Sequence, residues 1–220
     1  MTPSIGGMSV AANPNDERYY TNARPDVIAL LPTPVGRVLD VGCGEGGTAA
    51  GLRAAGATEI VGIELVPEVA EQARTVFDDV RVGAVEDALA DIDGPFDTVL
   101  CLDVLEHLVD PSVVLRGLRE RTRPGGWLQV SVPNARHFSL VRDLVFKGTF
   151  GYGDWGHRDR THLRWFTPRD IAATVADAGW EVVETGWPPI NRSAGLHRLT
   201  KGRSSEFLVA QVYVSARNPG

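Results

Sequence analysis

The stretch Val38-Leu39-Asp40-Val41-Gly42-Cys43-Gly44-Glu45-Gly46-Gly47 decides the fold of this chain. It begins with an apolar run that contains one acidic residue, and it continues as a glycine-rich turn. A pattern of this kind is typical of a buried strand that turns sharply into a helix. Glycine at such a turn lets the backbone approach a ligand closely, because no Cβ occupies the space. The stretch therefore predicts a ligand-binding turn at the carboxyl end of the first strand.

From this stretch onward, short β-branched runs alternate with helical patterns, as in a parallel sheet wound by crossover helices. The predicted strands are Arg37–Val41, Glu59–Ile63, Val80–Val82, Thr98–Leu102, Trp127–Val132, Trp180–Thr185 and Phe207–Ser215. The predicted helices are Thr48–Ala55, Pro67–Phe77, Pro111–Arg121 and Pro168–Ala178, the last capped by Thr167 and ended by Gly179. No helical period separates the last two strands, so we expect an antiparallel final strand.

The 220 residues, of which 43% are hydrophobic, suit a single α/β domain. We expect this domain to cover residues 16–220, after a flexible arm over 1–15. The segment at about 134–166 is irregular and rich in Gly, His, Arg and aromatic residues. Loops placed on a rigid sheet commonly carry function. We therefore predict that this segment is a substrate lid.

The charge balance and the cysteines narrow the class of protein. The formal net charge is −6, whereas a protein that wraps nucleic acid usually carries an excess of positive charge. We therefore expect no nucleic-acid partner. The two cysteines, Cys43 and Cys101, lie in apolar strand patterns and suggest a reducing cytoplasm. No secretory signal is apparent at the N-terminus, and no apolar run is long enough to predict a transmembrane segment.

The glycine turn fits two kinds of ligand. Gly42, Gly44 and Gly47 match the G-x-G-x-x-G fingerprint of dinucleotide sites, while glycines at 42, 44 and 46 match a G-x-G-x-G turn beneath a sulfonium nucleoside. Asp40 separates the two readings, because its carboxylate would repel a pyrophosphate and attract a cationic amino-acid moiety. This favours S-adenosylmethionine. Glu64, at the end of the second strand, can accept hydrogen bonds from ribose hydroxyls of either ligand.

Further cofactor contacts are predicted at the other strand ends, because the carboxyl ends of the strands in a doubly wound sheet meet at one crevice. Asp87, with Glu86 before it, follows the third strand and could accept the adenine amine; the alternative is that both are solvated loop acids. Asp103 ends the fourth strand. The complete predicted cofactor set is Tyr20, Arg24, Asp40, Gly42, Cys43, Gly44, Glu64, Leu65, Glu86, Asp87 and Asp103.

A series of short motifs, each weak singly, together resembles a known family. After the glycine turn come Gly62-Ile63-Glu64, Phe96-Asp97, Asp103-Val104-Leu105-Glu106-His107-Leu108, Arg123-Pro124-Gly125-Gly126 and Val132-Pro133-Asn134. Their order and spacing resemble class I S-adenosylmethionine-dependent methyltransferases, and within them the branch of quinone-biosynthetic O-methyltransferases. The resemblance implies a Rossmann-like seven-stranded sheet of order 3-2-1-4-5-7-6 with strand 7 antiparallel and helices on both faces.

The same resemblance implies that Tyr19, Tyr20 and Arg24 lie in an N-terminal helix over the methionine end of the cofactor. An aromatic face can contact the sulfonium, and the guanidinium of Arg24 can pair with the cofactor carboxylate. The alternative is that these residues only pack an amphipathic helix onto the surface.

On the acceptor side, two histidines are candidates for the base. Methyl transfer from a sulfonium depends mainly on positioning, but a hydroxyl acceptor must also lose a proton, for which histidine is suited. His107 lies just past a central strand, and the second candidate is His162. The alternatives are that His107 caps the following helix or bonds to backbone, and that His162 satisfies a backbone group of the loop.

The stretch 156–166 resembles the Asp-Arg-Thr-His-Leu-Arg-Phe-Phe-Thr segment of methyltransferases of polysaccharide and modified-sugar biosynthesis. The predicted acceptor-binding residues are Tyr152, Trp155, His157, Arg160 and Trp165, because aromatic rings stack on sugars and arginines pair with anionic groups. A purely structural role for the segment, with an ion pair between Asp159 and Arg160, is the alternative. The spacing of His157, Asp159 and His162 matches no closed ligand set, so we expect no metal.

The sequence therefore predicts a methyltransferase that uses S-adenosylmethionine on a small-molecule acceptor, as an O-methyltransferase of a sugar, glycan or phenolic intermediate. An N-methyltransferase of a small amine is the nearest alternative. An NAD-dependent oxidoreductase and a non-catalytic cofactor-binding protein represent other functional classes. The oligomeric state is left open between a monomer and a homodimer.

Overall fold

A computed structural model describes residues 21–154, 156–187 and 205–220, and it forms one seven-stranded sheet. The strands are β1 (Gly36–Val41), β2 (Ala57–Glu64), β3 (Asp79–Val82), β4 (Phe96–Leu102), β5 (Thr122–Pro133), β6 (Glu181–Gly186) and β7 (Gln211–Arg217). Their order across the sheet is β3-β2-β1-β4-β5-β7-β6. The predicted strand number and strand order are confirmed. The predicted arm over residues 1–15 lies outside the described residues.

The first five strands are parallel, and β7 runs antiparallel to both of its neighbours, β5 and β6. The prediction of an antiparallel final strand is confirmed, but its predicted bounds are wrong. Phe207 and Leu208 belong to a short helix, and the strand begins at Gln211 and ends at Arg217. The apolar run that starts at Phe207 continues from the helix into the strand, so hydrophobicity alone does not mark the boundary.

The helices are α1 (Pro25–Ile28), α2 (Ala49–Ala54), α3 (Pro67–Ala73), α4 (Val85–Ala88), α5 (Pro111–Glu120), α6 (Phe138–Lys147), α7 (Pro168–Asp177) and α8 (Ser205–Leu208). Single 3-10 turns occur at Leu89–Asp91, Leu105–His107 and Gly156–Arg158. The predicted ends of α7 are confirmed: the Thr167 hydroxyl accepts from the Asp170 N–H, and Gly179 follows with φ of 90°. None of the described helices has the length and apolar character needed to cross a bilayer.

Both faces of the sheet are buried, which explains why its central strands are apolar without alternation. On one face, Leu39 and Val41 of β1 belong to a cluster that includes side chains of α5 and α7. On the other face, Val38 belongs to a second cluster, with side chains of α2 and α3. The strands are therefore fixed from both sides, and their carboxyl ends form a rigid edge.

The segment predicted as a lid begins and ends at one point of the fold. Asn134 and Phe166 form a parallel bridge, and the Ala135 N–H donates to the Phe166 carbonyl at 2.9 Å. Between them lies α6, which the sequence did not predict. The apolar side chains of α6 are mostly exposed, Phe146 by 82%, so they do not form the buried stripe by which a helix is usually recognised.

Candidate active site

The glycine turn after β1 adopts a backbone that requires glycine. Gly42, Gly44 and Gly46 have φ of 69°, 56° and 83°, in the left-handed region that other residues rarely adopt. The N–H groups of Gly42 and Cys43 both donate to the Ile63 carbonyl, at 2.8 and 3.1 Å. A Cβ on Gly42 would lie 2.5 Å from a methyl group of Val104. The turn is therefore held against β2 and against the loop that follows β4.

Glu64, the last residue of β2, turns its carboxylate toward this turn. One oxygen accepts from the Gly44 N–H at 3.0 Å, and the other accepts from the Val66 N–H at 2.9 Å. Burial raises the pKa of Glu64, and the hydrogen bonds from these N–H groups oppose that effect. Each carboxylate oxygen has a second lone pair, so the anchored group can still accept hydrogen bonds from a ligand.

Asp40 is buried beneath the turn. Its carboxylate accepts from the Thr48 hydroxyl at 2.6 Å. Burial raises the pKa of Asp40 to about 7, although the Thr48 hydrogen bond and the charge of Arg24 act in the opposite direction. A buried carboxylate with one neutral partner favours a cationic ligand group nearby, because such a group would stabilise its ionised form.

Arg24 makes an ion pair that the sequence did not predict. One of its guanidinium nitrogens lies 2.7 Å from the Asp103 carboxylate, and another donates to the Ser131 hydroxyl at 3.0 Å. The predicted placement of Arg24 in a helix is wrong, because it precedes α1 in a left-handed conformation with φ of 44°. Arg24 thus ties the N-terminal segment to the carboxyl end of β4. Asp103 also has a positive φ, 58°, as is frequent at functional sites.

The same N-terminal segment lies over the glycine turn. A Cβ on Gly47 would lie 2.7 Å from the Thr21 carbonyl oxygen and 2.8 Å from that of Asn22. Glycine at position 47 thus allows the two backbone segments to touch. Tyr20, which was predicted to contact the cofactor, lies outside the described residues.

The remaining predicted cofactor residues differ in exposure. Cys43 is buried, and burial raises the pKa of its thiol. Leu65 is 51% exposed at the tip that follows β2. Glu86 and Asp87 are exposed in the first turn of α4, so they are not the loop residues that the alternative assumed. Their side chains follow β3, so the placement at this edge of the sheet agrees with the prediction.

His107 is half-buried in the 3-10 turn after β4, and it takes part in a chain of polar contacts. Its Nδ1 lies 3.2 Å from the Thr161 hydroxyl, which in turn donates to the Asp159 carboxylate at 2.7 Å. Burial lowers the pKa of His107, and the charge of Asp159 opposes that effect. The helix that follows is capped by Asp110, so His107 does not serve as its cap.

His162 comes from the lid segment and lies against His107. The two ring centroids are 4.8 Å apart in an edge-to-face arrangement. Burial, reinforced by the neighbouring His107, lowers the pKa of His162 to about 4. Its Nδ1 has no hydrogen-bond partner among the described residues. This nitrogen therefore does not bond to a backbone group of the loop there. The structure therefore brings the two predicted base candidates together.

Glu106 completes this group and was not predicted as a site residue. Its side chain is buried beside the two histidines, and neither carboxylate oxygen has a hydrogen-bond partner among the described residues. Burial and the charge of Asp103 raise its pKa well above the ordinary value. Its carbonyl accepts from the N–H groups of Leu163 and Arg164, at 2.8 and 3.0 Å. The signal in the sequence was its position beside His107 within an apolar motif, where a solvated glutamate is unexpected.

Two of the predicted aromatic residues form a cluster on the lid segment. The ring centroids of Tyr152 and Trp165 are 6.1 Å apart, and each lies 5.0 Å from that of Phe150. Tyr152 is 58% exposed and Trp165 is 37% exposed, so both offer ring faces to a ligand. Trp155 lies outside the described residues.

His157 and Arg160 are not part of this cluster. His157 packs against His137, with ring centroids 4.7 Å apart. Arg160 pairs with Asp154 at 2.7 Å in an exposed position. The ion pair between Asp159 and Arg160, which we considered as the structural alternative, is not formed. Arg158 instead joins two parts of the segment, because its guanidinium donates to Asp143 of α6 at 2.8 Å.

Comparison with known proteins agrees with this geometry. A family profile described as a methyltransferase domain matches residues 16–185. Two similar proteins are both named ubiquinone biosynthesis O-methyltransferase. The one from Xanthomonas euvesicatoria pv. vesicatoria is 35% identical over 161 residues, which cover 66% of this chain and 63% of that protein. The one from Xanthomonas axonopodis pv. citri is 34% identical over 171 residues, which cover 71% of this chain and 67% of that protein. This chain thus matches just under two thirds of the first relative's length.

Solved structures share the fold at low sequence identity. An S-adenosylmethionine-dependent methyltransferase from Mesorhizobium loti superimposes with a TM-score of 0.62 at 17% identity, covering 88% of this chain and 96% of that one. One from Archaeoglobus fulgidus gives 0.59 at 16% identity, covering 84% and 87%. The family profile, the strand order and the acid-lined glycine turn together confirm the predicted family, fold class and cofactor. The chain therefore belongs to the class I S-adenosylmethionine-dependent methyltransferases.

Proposed function

We propose that this protein methylates an oxygen atom of a small-molecule acceptor, a sugar, glycan or phenolic intermediate. The observation that carries the proposal is the pair formed by His107 and His162 beside the carboxyl end of β4. Two imidazoles whose pKa values are lowered by burial are neutral near pH 7, and a neutral imidazole can accept a proton from a hydroxyl. The names of the two Xanthomonas relatives also support oxygen as the acceptor atom.

The cofactor side of the crevice is assigned to the acidic strand ends. When bound, S-adenosylmethionine supplies a methyl group that its sulfonium already activates for displacement. Glu64 would hold the ribose, since its carboxylate is fixed by backbone at the glycine turn. Asp40, in its ionised form, would give the crevice the negative charge that a cationic ligand needs, since the charge of Asp103 is balanced by Arg24. Because Arg24 is paired with Asp103, we propose that it holds the N-terminal segment over the glycine turn, and that binding the cofactor carboxylate is not its sole role.

The acceptor side is assigned to the segment 134–166. The rings of Tyr152 and Trp165 would stack on the acceptor, and exposed Arg160 would pair with an anionic substituent of it. The Thr161 hydroxyl bonds to Asp159 and contacts Nδ1 of His107, so it would hold that ring in one orientation. Orientation is the main contribution that such an enzyme makes to methyl transfer.

The proposal is tested in two steps. First, thermal-shift titration should show stabilisation by S-adenosylhomocysteine and none by NAD. Second, the full chain is incubated with isotopically labelled S-adenosylmethionine and a panel of phenols, sugars, nucleotide sugars and amines. We expect a methyl ether, identified by mass spectrometry. Methylation confined to the amines would contradict the oxygen assignment and favour the N-methyltransferase.

The role of the histidines is tested with His107→Gln and His162→Gln. Each substitution should lower turnover by about 100-fold or more, the usual contribution of a general base, and leave the affinity for S-adenosylhomocysteine unchanged. Full turnover in both variants would remove the histidine pair from the chemistry.

A further inference from the structure

Three side chains of metal-binding types meet between the loop after β4 and the lid segment. One ligand atom from each of Glu106, His107 and His162 lies within 4.8 Å of the others. The two segments are joined by backbone, since the Glu106 carbonyl accepts from the N–H groups of Leu163 and Arg164. The side chains therefore face one another because the chain is held there on both sides.

Two members of this cluster are buried without hydrogen-bond partners. Glu106 is 1% exposed, and neither of its carboxylate oxygens has a partner among the described residues. His162 is 7% exposed, and its Nδ1 has none there either. Leaving a buried polar group without a hydrogen-bond partner is destabilising, and more so for a charged group. A cation bound between them would satisfy both side chains at once.

The third member already has the outer contacts that metal-binding histidines usually have. Nδ1 of His107 faces the Thr161 hydroxyl, which donates its own proton to the Asp159 carboxylate. Thr161 therefore accepts from Nδ1–H, and Nε2 is left with a free lone pair. Metal-ligating histidines typically donate their second ring N–H in this way, which fixes the tautomer and the ring orientation.

We propose that Glu106, His107 and His162 bind a divalent transition-metal ion, of which Zn²⁺ fits best. Two imidazoles and one carboxylate form a set that suits zinc, whereas magnesium and calcium prefer oxygen ligands alone. Ligand atoms around a tetrahedral zinc ion lie about 3.3 Å apart. Side-chain rotations that bring the outermost atoms about 1.5 Å closer would complete the site.

The part that we assign to the ion in methyl transfer rests on the proposed function. The binding of the ion by these three residues does not. Three protein ligands leave one position for another molecule, as in catalytic zinc sites. An acceptor hydroxyl bound there would lose its proton to water more easily, because zinc lowers the pKa of bound oxygen groups. Its oxygen would then bond to the methyl carbon as the carbon–sulfur bond breaks and S-adenosylhomocysteine leaves. The histidines would in that case act through the ion rather than as bases.

The site is tested on the full chain after treatment with EDTA and removal of the chelator. Calorimetric titration with ZnCl₂ and native mass spectrometry should both show one Zn²⁺ per chain, with MgCl₂ binding more weakly. Glu106→Gln and His162→Gln should each lower the Zn²⁺ affinity at least tenfold. His157→Gln, which alters the separate histidine pair, should not change it. Glu106→Gln keeps the shape of the side chain and removes the carboxylate that would bind the ion, so it should fold, and its melting temperature checks this.

Failure to bind Zn²⁺ in the parent chain, or equal affinity in Glu106→Gln and His162→Gln, would overturn the proposal. Binding of S-adenosylhomocysteine is titrated in parallel on the same preparations. A chain that binds this ligand and no zinc contradicts only the metal site. A chain that binds zinc at these residues without S-adenosylhomocysteine contradicts the proposed function and supports the site.

Discussion

The two sides of the crevice are held in place by different kinds of contact. On the cofactor side, the Glu64 carboxylate is fixed by backbone N–H groups, and the glycine turn hydrogen-bonds to β2. On the acceptor side, the important contacts are made by side chains: His107 contacts Thr161 of the segment 134–166, and Arg158 bonds to Asp143 within that segment. The geometry of the cofactor side therefore depends on the sheet, whereas that of the acceptor side depends on the side-chain contacts that hold the segment 134–166 in place.

The largest effect is expected from adding one methyl group, by a glycine-to-alanine substitution, at a glycine with a left-handed backbone conformation on each side of the crevice. Gly42→Ala places a Cβ 2.5 Å from Val104 at φ of 69°, whereas Gly148→Ala has a φ of 64° and no atom within 4 Å of the new Cβ. Both should lose about 1–2 kcal/mol to backbone strain, and Gly42→Ala a further 1–3 kcal/mol to overpacking.

These losses are measured as free energies of unfolding in denaturant, and binding of S-adenosylhomocysteine is titrated on the same samples. We expect Gly42→Ala alone to lose binding. Equal behaviour of the two variants would mean that the turn is not a packed part of the cofactor site.

Asp40 makes the stability of the cofactor side dependent on pH. Its pKa is raised to about 7 by burial, so the folded chain holds a proton that the unfolded chain has lost between about pH 4 and pH 7. Stability should therefore fall as the pH rises through this window, by up to about 4 kcal/mol. Asp40→Asn should remove that part of the slope and be the more stable protein at pH 8.

The measurement for Asp40 is urea unfolding of both proteins from pH 4 to pH 8. Glu64 and Glu106 also have raised pKa values, so the difference between the two curves isolates Asp40. If the free energy of unfolding changed with pH in the same way in the parent chain and in Asp40→Asn, the result would contradict the proposal that this carboxylate is buried and favours a cationic ligand group.

Glu64 gives a smaller effect that concerns ligand binding rather than folding. Glu64→Gln keeps an acceptor oxygen but loses the charge that strengthens hydrogen bonds from ribose hydroxyls, so affinity for S-adenosylhomocysteine should fall about tenfold or more. Glu59→Gln changes a carboxylate near the other end of the same strand, where it pairs with Arg37, and serves as the control. Calorimetry on the three proteins should show a loss only for position 64.

The smallest effect is expected on the acceptor side, where Arg158 bonds to Asp143 of α6 and so holds two parts of the segment 134–166 together. Arg158→Ala removes hydrogen bonds to Asp143 and to the Ser139 carbonyl. The free energy of local opening of α6 should therefore fall by about 1–2 kcal/mol. Arg160→Ala removes an exposed ion pair with Asp154 and an exposed hydrogen bond to the Gly153 carbonyl, and it should change little. Amide hydrogen exchange over residues 138–147 checks both, and unchanged protection in Arg158→Ala would show that this tether does not hold the segment.

The sequence predicted where the glycine turn, Asp40 and Glu64 lie in the fold, because their signals are local. The glycine turn, Asp40 and Glu64 each stand at the end of an apolar strand, and strand ends converge in this fold. The order of the strands followed from the family resemblance. The antiparallel final strand was also predicted because the sequence shows no helical period between the last two strands, although the structure places the short helix α8 there. The bounds of β7 were wrong because α8 interrupts a continuous apolar run.

The acceptor side was predicted less completely because its contacts are distant in the chain. His107 and Thr161 are 54 positions apart, so no local pattern indicates their contact. The same holds on the cofactor side for Arg24 and Asp103, which are 79 positions apart. Helix α6 was missed because its apolar residues are exposed rather than buried. Glu106 was missed because its position beside His107 in an apolar motif is a weak signal, and its closeness to His162 depends on the fold.

The central claim is that the carboxyl ends of β1, β2 and β4 hold the cofactor. A crystal structure of the chain with S-adenosylhomocysteine tests it most directly, through the distance between the Glu64 carboxylate and the ribose hydroxyls. We predict two hydrogen bonds of about 2.5–3.0 Å, with the ligand sulfur facing His107. A ligand bound elsewhere, or a Glu64 side chain turned away from the ribose, would contradict the account.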